Sequence, residues 1–503
     1  MYRASAARPT GMPIGLPVFA VWGLGMIGIA VVVAGALIAN AGIYVAALAV
    51  GLLVFYLILR HPPAVAYVAL GWIMFEKSLG AHDPGLSNTV SVLGDVLLVG
   101  ALYWVITVNL IRRRSPVMRF GAIGVGLFAF TAFSIASTLV NGVPLHVAEL
   151  GILDSLRSLI MFLAVINIGL SAKDVYRFVY WVIGIMSVSA FVGVLQAYRH
   201  SPAWKLGGLR LSGPHGLMRV DGLFDHPLSL GDYLALTLPL ALMLVVFGGV
   251  SGKPRRWLMA GTLVMVLALL LTFAREAWLA VPAAVLFVGL TVDRKVVKVA
   301  LPPVLIAALF ALPFLSSVNT NDTGQQRLTL FQLTWPLIKS HLLLGVGPGR
   351  FGGHVAAVTN TPLYAEYHVA NYFYGTGNQI DQFWTHLLAE SGVLGVAAFV
   401  SMIVACFLTG RRAYLATDDP RAKPILLGLL CAAPAAVILS FASSVLEEGP
   451  AASLFWCLMG MLTVLSVTTG RVLSPAPVVA DKELGSPAGV VRRRQLTESR
   501  ARP

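Results

Sequence analysis

The stretch "GNQIDQFWTHLLAESGVLG", Gly377–Gly395, begins as a polar loop and continues into an apolar run. Apolar runs of about 20 residues, enough to cross a hydrocarbon core of roughly 30 Å as a helix, recur along nearly the whole chain. Hydrophobic residues make up 57% of the 503 positions and charged residues only 12%, which excludes a water-soluble globule. The runs do not alternate with period two, so an all-α integral membrane protein is predicted.

About fourteen crossings are predicted, of which the third and the sixth are short. Their bodies are Ile14–Ile38, Ile43–Leu59, Ala64–Phe75, Val90–Leu110, Phe120–Val140, Leu159–Leu170, Phe178–Leu195, Leu228–Phe247, Trp257–Phe273, Ala277–Val292, Val299–Leu315, Phe383–Leu408, Pro424–Phe441 and Ala451–Val467. Residues 1–470 are therefore predicted to form one membrane domain. The remaining segment, 471–503, is rich in Pro, Ser and charged residues and is predicted to be a disordered cytoplasmic tail.

Lysine and arginine collect in alternate short loops, including "IRRRSPVMR", "SGKPRR", "DRKVVK" and "GRRAYLATDDPRAK". Such loops face the cytoplasm, so both termini are predicted to lie inside. This bias accounts for most of the net charge of +14, and nucleic-acid binding is not indicated. All three cysteines fall within apolar runs, which predicts packing residues rather than a disulfide or a metal cluster.

Two outward-facing segments depart from this charge pattern or from ordinary loop length. The first, Ala197–Pro227, carries Arg199, Lys205, Arg210 and Arg219 on the side where positive charge is normally scarce. Basic residues in that position indicate an anionic partner.

The second outward-facing segment, residues 316–380, is far longer than an ordinary connection. Its sequence "RLTLFQLTWPLIKSHLLLG" is amphipathic with helical spacing and opens at Arg327, so an ordered, partly helical cap on the membrane surface is predicted. The later part, "NTPLYAEYHVANYFYGTGNQ", is rich in Tyr, Asn and His. Either a carbohydrate-binding surface or an aromatic belt at the headgroup level explains this composition.

Several kinds of chemistry lack their usual sequence signals. The chain has no Walker-type glycine loop, no Asp-x-Asp suited to a nucleotide-sugar and its metal, and no Cys/His metal spacing. An enzyme that acts outside the membrane also lacks a supply of nucleotide-activated donors. The donors that remain for such an enzyme are lipid-linked pyrophosphates, whose cleavage would supply the energy for the reaction.

Three stretches in the C-terminal half, "TFAREAWLA", "RLTLFQLTWPLIKSHLLLGVGPGRF" and "DQFWTHLLAESGVLGVAAF", resemble the O-antigen ligase and O-antigen polymerase family of bacterial envelope glycosyltransferases. Upstream, "MRVDGLFDHPLSLG" is similar to the same family's arginine and G-x-F-x-x-P segment. The resemblance implies a glycosyltransferase C type fold of about 12–14 transmembrane helices in the bacterial cytoplasmic membrane. The active site would lie beneath the long outer loop between the eleventh and twelfth spans, and the donor would be a glycan on undecaprenyl pyrophosphate. No metal or soluble cofactor is expected.

The resemblance also implies four substrate-binding arginines. Arg275 matches the arginine of the family's T-x-S-R pattern, although Ala274 replaces the serine, and a snorkelling arginine is the alternative. Arg219 matches the arginine ahead of G-x-F, Arg210 competes for that role, and Arg327 opens the loop helix where the family often has a basic residue. A planar guanidinium can donate two parallel hydrogen bonds to pyrophosphate and stabilise its developing charge.

Three neighbouring features have structural interpretations as well as functional ones. The glycines of "GVGPGRFGG", Gly345, Gly347 and Gly349, could approach a lipid phosphate, but a turn that ends a helix is the favoured interpretation. His386 is interpreted as a packing or interfacial residue. Glu390 is expected to need an internal partner such as an arginine.

Ligases of the family carry His, then Asn, Ser or Gln, then nine residues and G-x-x-G. In the same register this chain has Asp381, Gln382, Gly392 and Gly395. Both histidine and aspartate accept protons, so the resemblance implies that Asp381 is the catalytic base that activates a sugar hydroxyl. The competing interpretation is that Asp381 caps the helix that follows.

These expectations lead to an inverting, metal-independent polymerase of lipid-linked glycan units, whose partners are that donor, an acceptor glycan or lipid, and membrane lipids. The change from His to Asp favours a polymerase, and a ligase that moves the glycan to another acceptor is the alternative. A lipid-linked glycan flippase or transporter is a further alternative. Transporters place ionisable groups near the middle of the membrane, whereas most spans here are free of them.

Overall fold

The structure is a computed structural model that describes residues 119–199, 219–249, 251–299, 323–369, 379–447 and 449–473, with residues 71, 302 and 306. The first four predicted crossings, almost all of the eleventh, and the tail after residue 473 lie outside this part. Its α-helices are α1 Gly124–Val140, α2 Leu145–Arg157, α3 Leu159–Asn167, α4 Ala172–Arg199, α5 Pro227–Phe247, α6 Lys253–Thr272, α7 Arg275–Thr291, α8 Thr323–Ser340, α9 His354–Val358, α10 Leu363–Glu366, α11 Phe383–Ala416, α12 Ala422–Leu439 and α13 Gly449–Leu473. Short 3₁₀ helices occupy Gly121–Ile123 and Arg294–Val296.

Seven helices in the described part of the chain are long and apolar enough to cross a membrane: α1 with its preceding 3₁₀ turn, α4, α5, α6, α11, α12 and α13. They occupy the stretches predicted from hydropathy, and α7, with 17 residues, fills the predicted crossing Ala277–Val292. The predicted all-α integral membrane architecture is confirmed. Exposed apolar side chains on α1, such as Val125 at 85% and Phe128 at 78%, suit a lipid-facing surface.

The predicted crossing Leu159–Leu170 corresponds to α3, which has only nine residues. At 1.5 Å per residue it measures about 14 Å, too short to cross alone. Only Ser158 separates it from α2, so the two helices together make the passage. Gly151 of α2 lies against Gly349, and Asn167 of α3 holds the Arg119 backbone 2.8 Å away at the opposite end.

The helix ends form two groups, one of which carries most of the basic loops. Here the Arg411 guanidinium donates to Thr291 O at 2.9 Å, and the Tyr176 hydroxyl donates to Asp419 at 3.0 Å. We call this the basic end. Its clustering agrees with the loops predicted to face the cytoplasm, and the orientation itself stays a prediction.

The opposite end, here called the loop end, contains residues 140–145, 219–226, 272–275, 323–369, 379–382 and 439–447. The Trp384 indole donates to Val437 O at 3.0 Å and the Asn141 amide donates to Gly345 O at 3.0 Å. Helices α5, α12 and α13 form the centre of the bundle, and their sides are mostly buried. The loop end therefore rests on a packed helical base.

Candidate active site

The long loop is partly helical where the structure describes it, with α8, α9 and α10 separated by turns. Helix α8 confirms the amphipathic helix predicted around Arg327, with Leu330 and Leu337 buried and Leu328 53% exposed. Its buried side joins α9, α10 and the start of α11 in one apolar cluster that includes Phe351 and Tyr364. This cluster fixes the loop against α11, the helix that begins two residues after Asp381.

Helix α11 is broken at Gly392, where φ is +63° and ψ is −172°. The residues around the break bond to the segment that follows α8. These backbone N–H to O bonds are Val346 to Ala389 (2.9 Å), Gly347 to Glu390 (3.0 Å), Val393 to Leu342 (2.9 Å) and Leu394 to Leu343 (3.2 Å). A Cβ atom on Gly392 would lie 2.4 Å from the Leu343 carbonyl, and φ there is strained for other residues, so this position requires glycine.

Gly345, Gly347 and Gly349 pack against protein rather than forming an open cradle. The N–H groups of these residues donate to His341 O, Glu390 O and the Glu390 carboxylate respectively. Because all three donors are engaged, the suggestion that this backbone approaches a lipid phosphate is not supported. The helix-ending turn is the interpretation that the structure bears out, since Gly345 follows the turn after α8.

Glu390 is buried, with 4% of its surface exposed, and its partners are backbone amides. Its carboxylate accepts from Gly349 N at 2.9 Å and from Phe351 N at 2.7 Å. The expectation of an arginine partner is therefore wrong. Two N–H donors supply the hydrogen bonds that a buried carboxylate requires.

His386 is a buried, doubly hydrogen-bonded residue rather than a packing or interfacial one. Its Nδ1 lies 2.7 Å from Phe351 O, and its Nε2 lies 3.3 Å from a carboxylate oxygen of Glu447. His386 and Glu390 are four residues apart on one helical face, a spacing that could have indicated a shared polar site. The sequence around Glu447 contains no comparable spacing of polar residues that could have indicated its part in this site.

Asp154 on α2 completes this polar cluster by hydrogen bonding to Glu447. For Glu447, burial opposes ionisation, but His386 and the hydrogen bond from Asp154 outweigh it and keep the pKa below its ordinary value. The surroundings of Glu447 therefore favour its ionised form.

Asp381 lies at the loop end beside Arg327, with its carboxylate 4.0 Å from the guanidinium. The Asp381 side chain is 45% exposed and the Arg327 side chain 19% exposed. The helix N-cap is Gln382, and it makes no side-chain capping bond, so Asp381 does not occupy the capping position that was its alternative interpretation. Arg327 also has a buried Nε atom without a hydrogen-bond partner.

Arg219 has a buried donor that nothing in the described part of the chain uses. Its Nε donates to Thr272 O at 2.8 Å, while its buried Nη2 has no hydrogen-bond partner. Burial lowers the pKa of Arg219; the Glu276 carboxylate opposes this effect and the Arg275 charge adds to it. An unused guanidinium donor that also feels a second positive charge can bind an anion.

The structure thus brings Arg327 and Asp381 together and places Arg219 within the electrostatic influence of Arg275. Arg210 lies outside the described residues. The sequence did not indicate the adjoining cluster of His386, Glu447 and Asp154, whose members come from three separate parts of the chain.

The helices and composition define a multi-pass integral membrane protein, and its candidate site residues lie at the loop end of the bundle. Residues 260–400 match the family model described as O-antigen ligase. This match supports the assignment of the chain to the O-antigen ligase and O-antigen polymerase family, which comprises membrane glycosyltransferase-like enzymes that act on lipid-linked glycans. The matched segment contains Arg275, Arg327 and Asp381. A search of curated proteins found no match to the chain.

Proposed function

We propose that the protein polymerises undecaprenyl-pyrophosphate-linked glycan units at the outer face of the bacterial cytoplasmic membrane. The observation that carries this proposal is the buried, unpartnered Nη2 of Arg219 at the loop end, which also feels the positive charge of Arg275. Such a site suits the pyrophosphate of a lipid-linked donor. The family match supports a glycan-processing enzyme of this general kind.

In the proposed reaction, the Asp381 carboxylate accepts the proton of an acceptor sugar hydroxyl. The hydroxyl oxygen attacks the anomeric carbon and forms the new glycosidic bond, while the bond from that carbon to the pyrophosphate oxygen breaks. The electron pair leaves with the lipid pyrophosphate, so the anomeric configuration is inverted. Arg219 and Arg275 donate to the leaving oxygens and stabilise the charge that develops there.

The contact between Asp381 and Arg327 fits this sequence of events. An ion pair at 4.0 Å between partly exposed side chains contributes little stability, so the two groups can separate at low cost. Arg327 is then able to turn toward a phosphate oxygen, and Asp381 is left to face the acceptor hydroxyl. A tightly packed, bidentate pair would not permit this exchange.

The test is glycan transfer by the purified protein in lipid vesicles that contain undecaprenyl-pyrophosphate oligosaccharide. A ladder of lengthening lipid-linked products is expected for the wild type. Asp381→Asn should reduce turnover by roughly 10² to 10⁴-fold, because the proton acceptor is lost while size is kept. Asp381→His should recover part of that activity, since imidazole can also accept the proton. Arg412→Lys, at the exposed surface of the basic end, is the matched control and should retain wild-type turnover.

A ligase is the second candidate, favoured by the description of the matching family model. It would transfer one glycan to a different lipid acceptor and produce no ladder with the donor alone. Movement of the donor across the bilayer without any transfer would instead show a flippase. Equal turnover of Asp381→Asn and wild type would exclude Asp381 as the base.

A further inference from the structure

His386 makes a buried contact that the proposed reaction does not use. Its ring is 3% exposed, and both nitrogens are engaged, Nδ1 with Phe351 O at 2.7 Å and Nε2 with Glu447 at 3.3 Å. A substrate hydroxyl therefore has no free nitrogen to reach. His386 is not placed to act as a base, and its role must be exerted through other residues.

The contacts of His386 lead to the backbone just ahead of Asp381. Phe351 is followed by Gly352, whose carbonyl accepts from Ile380 N at 2.9 Å. On its other side, Ile380 O accepts from the Ser444 hydroxyl at 3.3 Å. Ile380 directly precedes Asp381, so two different loops hold the segment from which the Asp381 side chain projects.

His386 joins these same two loops. Its Nδ1 holds the loop of Phe351, and its Nε2 holds Glu447, whose N–H closes a turn onto Ser444 O at 2.9 Å. The His386 and Glu447 contact thus links both supports of Ile380. Loss of the contact would free the two loops to move independently.

The backbone around this contact is adapted to it. A Cβ atom on Gly353 would lie 2.7 Å from the His386 ring and 2.9 Å from the Glu447 carboxylate. Gly352 has φ of +88°, a conformation that L side chains rarely adopt. Two successive glycines therefore allow the loop to pass directly over the paired side chains.

We propose that His386 and Glu447 are positioning residues that hold Asp381 in the geometry needed for proton abstraction. This inference rests on the proposed role of Asp381 as the base. Displacement of a reacting group by about 1 Å can lower a rate by roughly 100-fold, so a rigid support for Ile380 has a direct catalytic consequence.

The first test compares His386→Gln with His386→Asn. A glutamine amide can replace Nε2 as donor to Glu447 but is poorly placed for Phe351 O, whereas an asparagine amide lies near the position of Nδ1. Each variant keeps one of the two contacts and loses the other, so both should lower kcat per folded protein by roughly 10 to 100-fold with little change in KM. His146→Gln, at an exposed position on α2, is the control and should match the wild type.

The second test places His386→Gln in the Asp381→Asn background. If His386 acts through Asp381, the second substitution should change kcat less than about 2-fold there, because coupled sites are not additive. A purely structural role would lower activity by the same factor in both backgrounds, and that result would overturn the inference. Glu447→Gln, which keeps the shape of the side chain, should reproduce the pattern if His386→Gln does not fold.

Hydrogen exchange separates this inference from the proposed function. The Ile380 amide donates to Gly352 O, so peptides that contain it should exchange faster in His386→Gln and Glu447→Gln than in wild type. Unchanged exchange would overturn the positioning role whatever the activity. Faster exchange in a protein without transferase activity would show that the proposed function, rather than the support of this segment, is wrong.

Discussion

Arg275 and Arg219 are predicted to act as forked donors rather than as simple positive charges. Arg275→Lys and Arg219→Lys should each lower transfer from the lipid-pyrophosphate donor at least 10-fold, because an ammonium cannot donate two parallel bonds in a fixed plane. Amounts of folded protein in the membrane should be measured alongside turnover. Full activity of Arg275→Ala would show that this residue only snorkels to the headgroups.

Two motifs in the sequence name Arg327 and Asp381 separately, and the structure brings their side chains to 4.0 Å, while their roles stay predictions. The contact between His386 and Glu447 could not be foreseen, because it depends on how distant helix ends meet. Hydropathy describes each helix alone and contains no information about how the ends of different helices pack.

Among the elements, the break in α11 depends on glycines at close contacts. Gly345 has φ of +68°, and a Cβ atom there would lie 2.3 Å from the backbone carbonyl of Glu390. Gly142 has a similar φ of +58°, but nothing lies within 4 Å of its Cβ position. Comparison of substitutions at the two glycines therefore distinguishes the effect of steric overlap from that of backbone strain.

Gly345→Ala should destabilise the protein far more than Gly142→Ala. The free energy of unfolding of the Gly142 variant should fall by only about 1 to 2 kcal/mol, the strain of an alanine in the left-handed conformation. The Gly345 variant adds displacement of α11 and should also abolish transfer activity. Thermal unfolding and turnover of both variants provide the measurement, and similar stability of the two would show that the packing around Gly345 is loose.

Element boundaries were largely predictable from apolar runs. The crossing Leu228–Phe247 corresponds to α5, and Trp257–Phe273 corresponds to α6 with small differences at the ends. Two features could not be read in this way. The passage made by α2 and α3 includes a polar first half, and the break at Gly392 lies inside an apolar pattern that a continuous helix explains equally well.

For the whole molecule, we predict that the basic end and the loop end lie on opposite sides of the membrane. Ala365 lies exposed on α10 at the loop end, and Ser251 lies exposed at the basic end. The three native cysteines, Cys406, Cys431 and Cys457, are buried, as predicted, and should give little background labelling. These features make single-cysteine accessibility a clean measure of orientation.

Ala365→Cys should react with a membrane-impermeant thiol reagent in intact cells, whereas Ser251→Cys should react only after the membrane is permeabilised. The reason is the concentration of lysine and arginine near Ser251, which retains those loops in the cytoplasm. The reverse pattern would place the candidate active site inside the cell. A donor displayed on the outer face of the membrane would then be unable to reach it.

The break at Gly392 divides α11 into two parts of different length. The part between the break and the charged residues Arg411 and Arg412, Val393–Gly410, is about 27 Å long at 1.5 Å per residue and nearly matches the roughly 30 Å of the bilayer core. We therefore expect this part to enter the bilayer during synthesis without help from Phe383–Ser391. The shorter piece would dock later with the loop that precedes it, so substitutions near Asp381 should leave the insertion of the chain into the membrane unchanged.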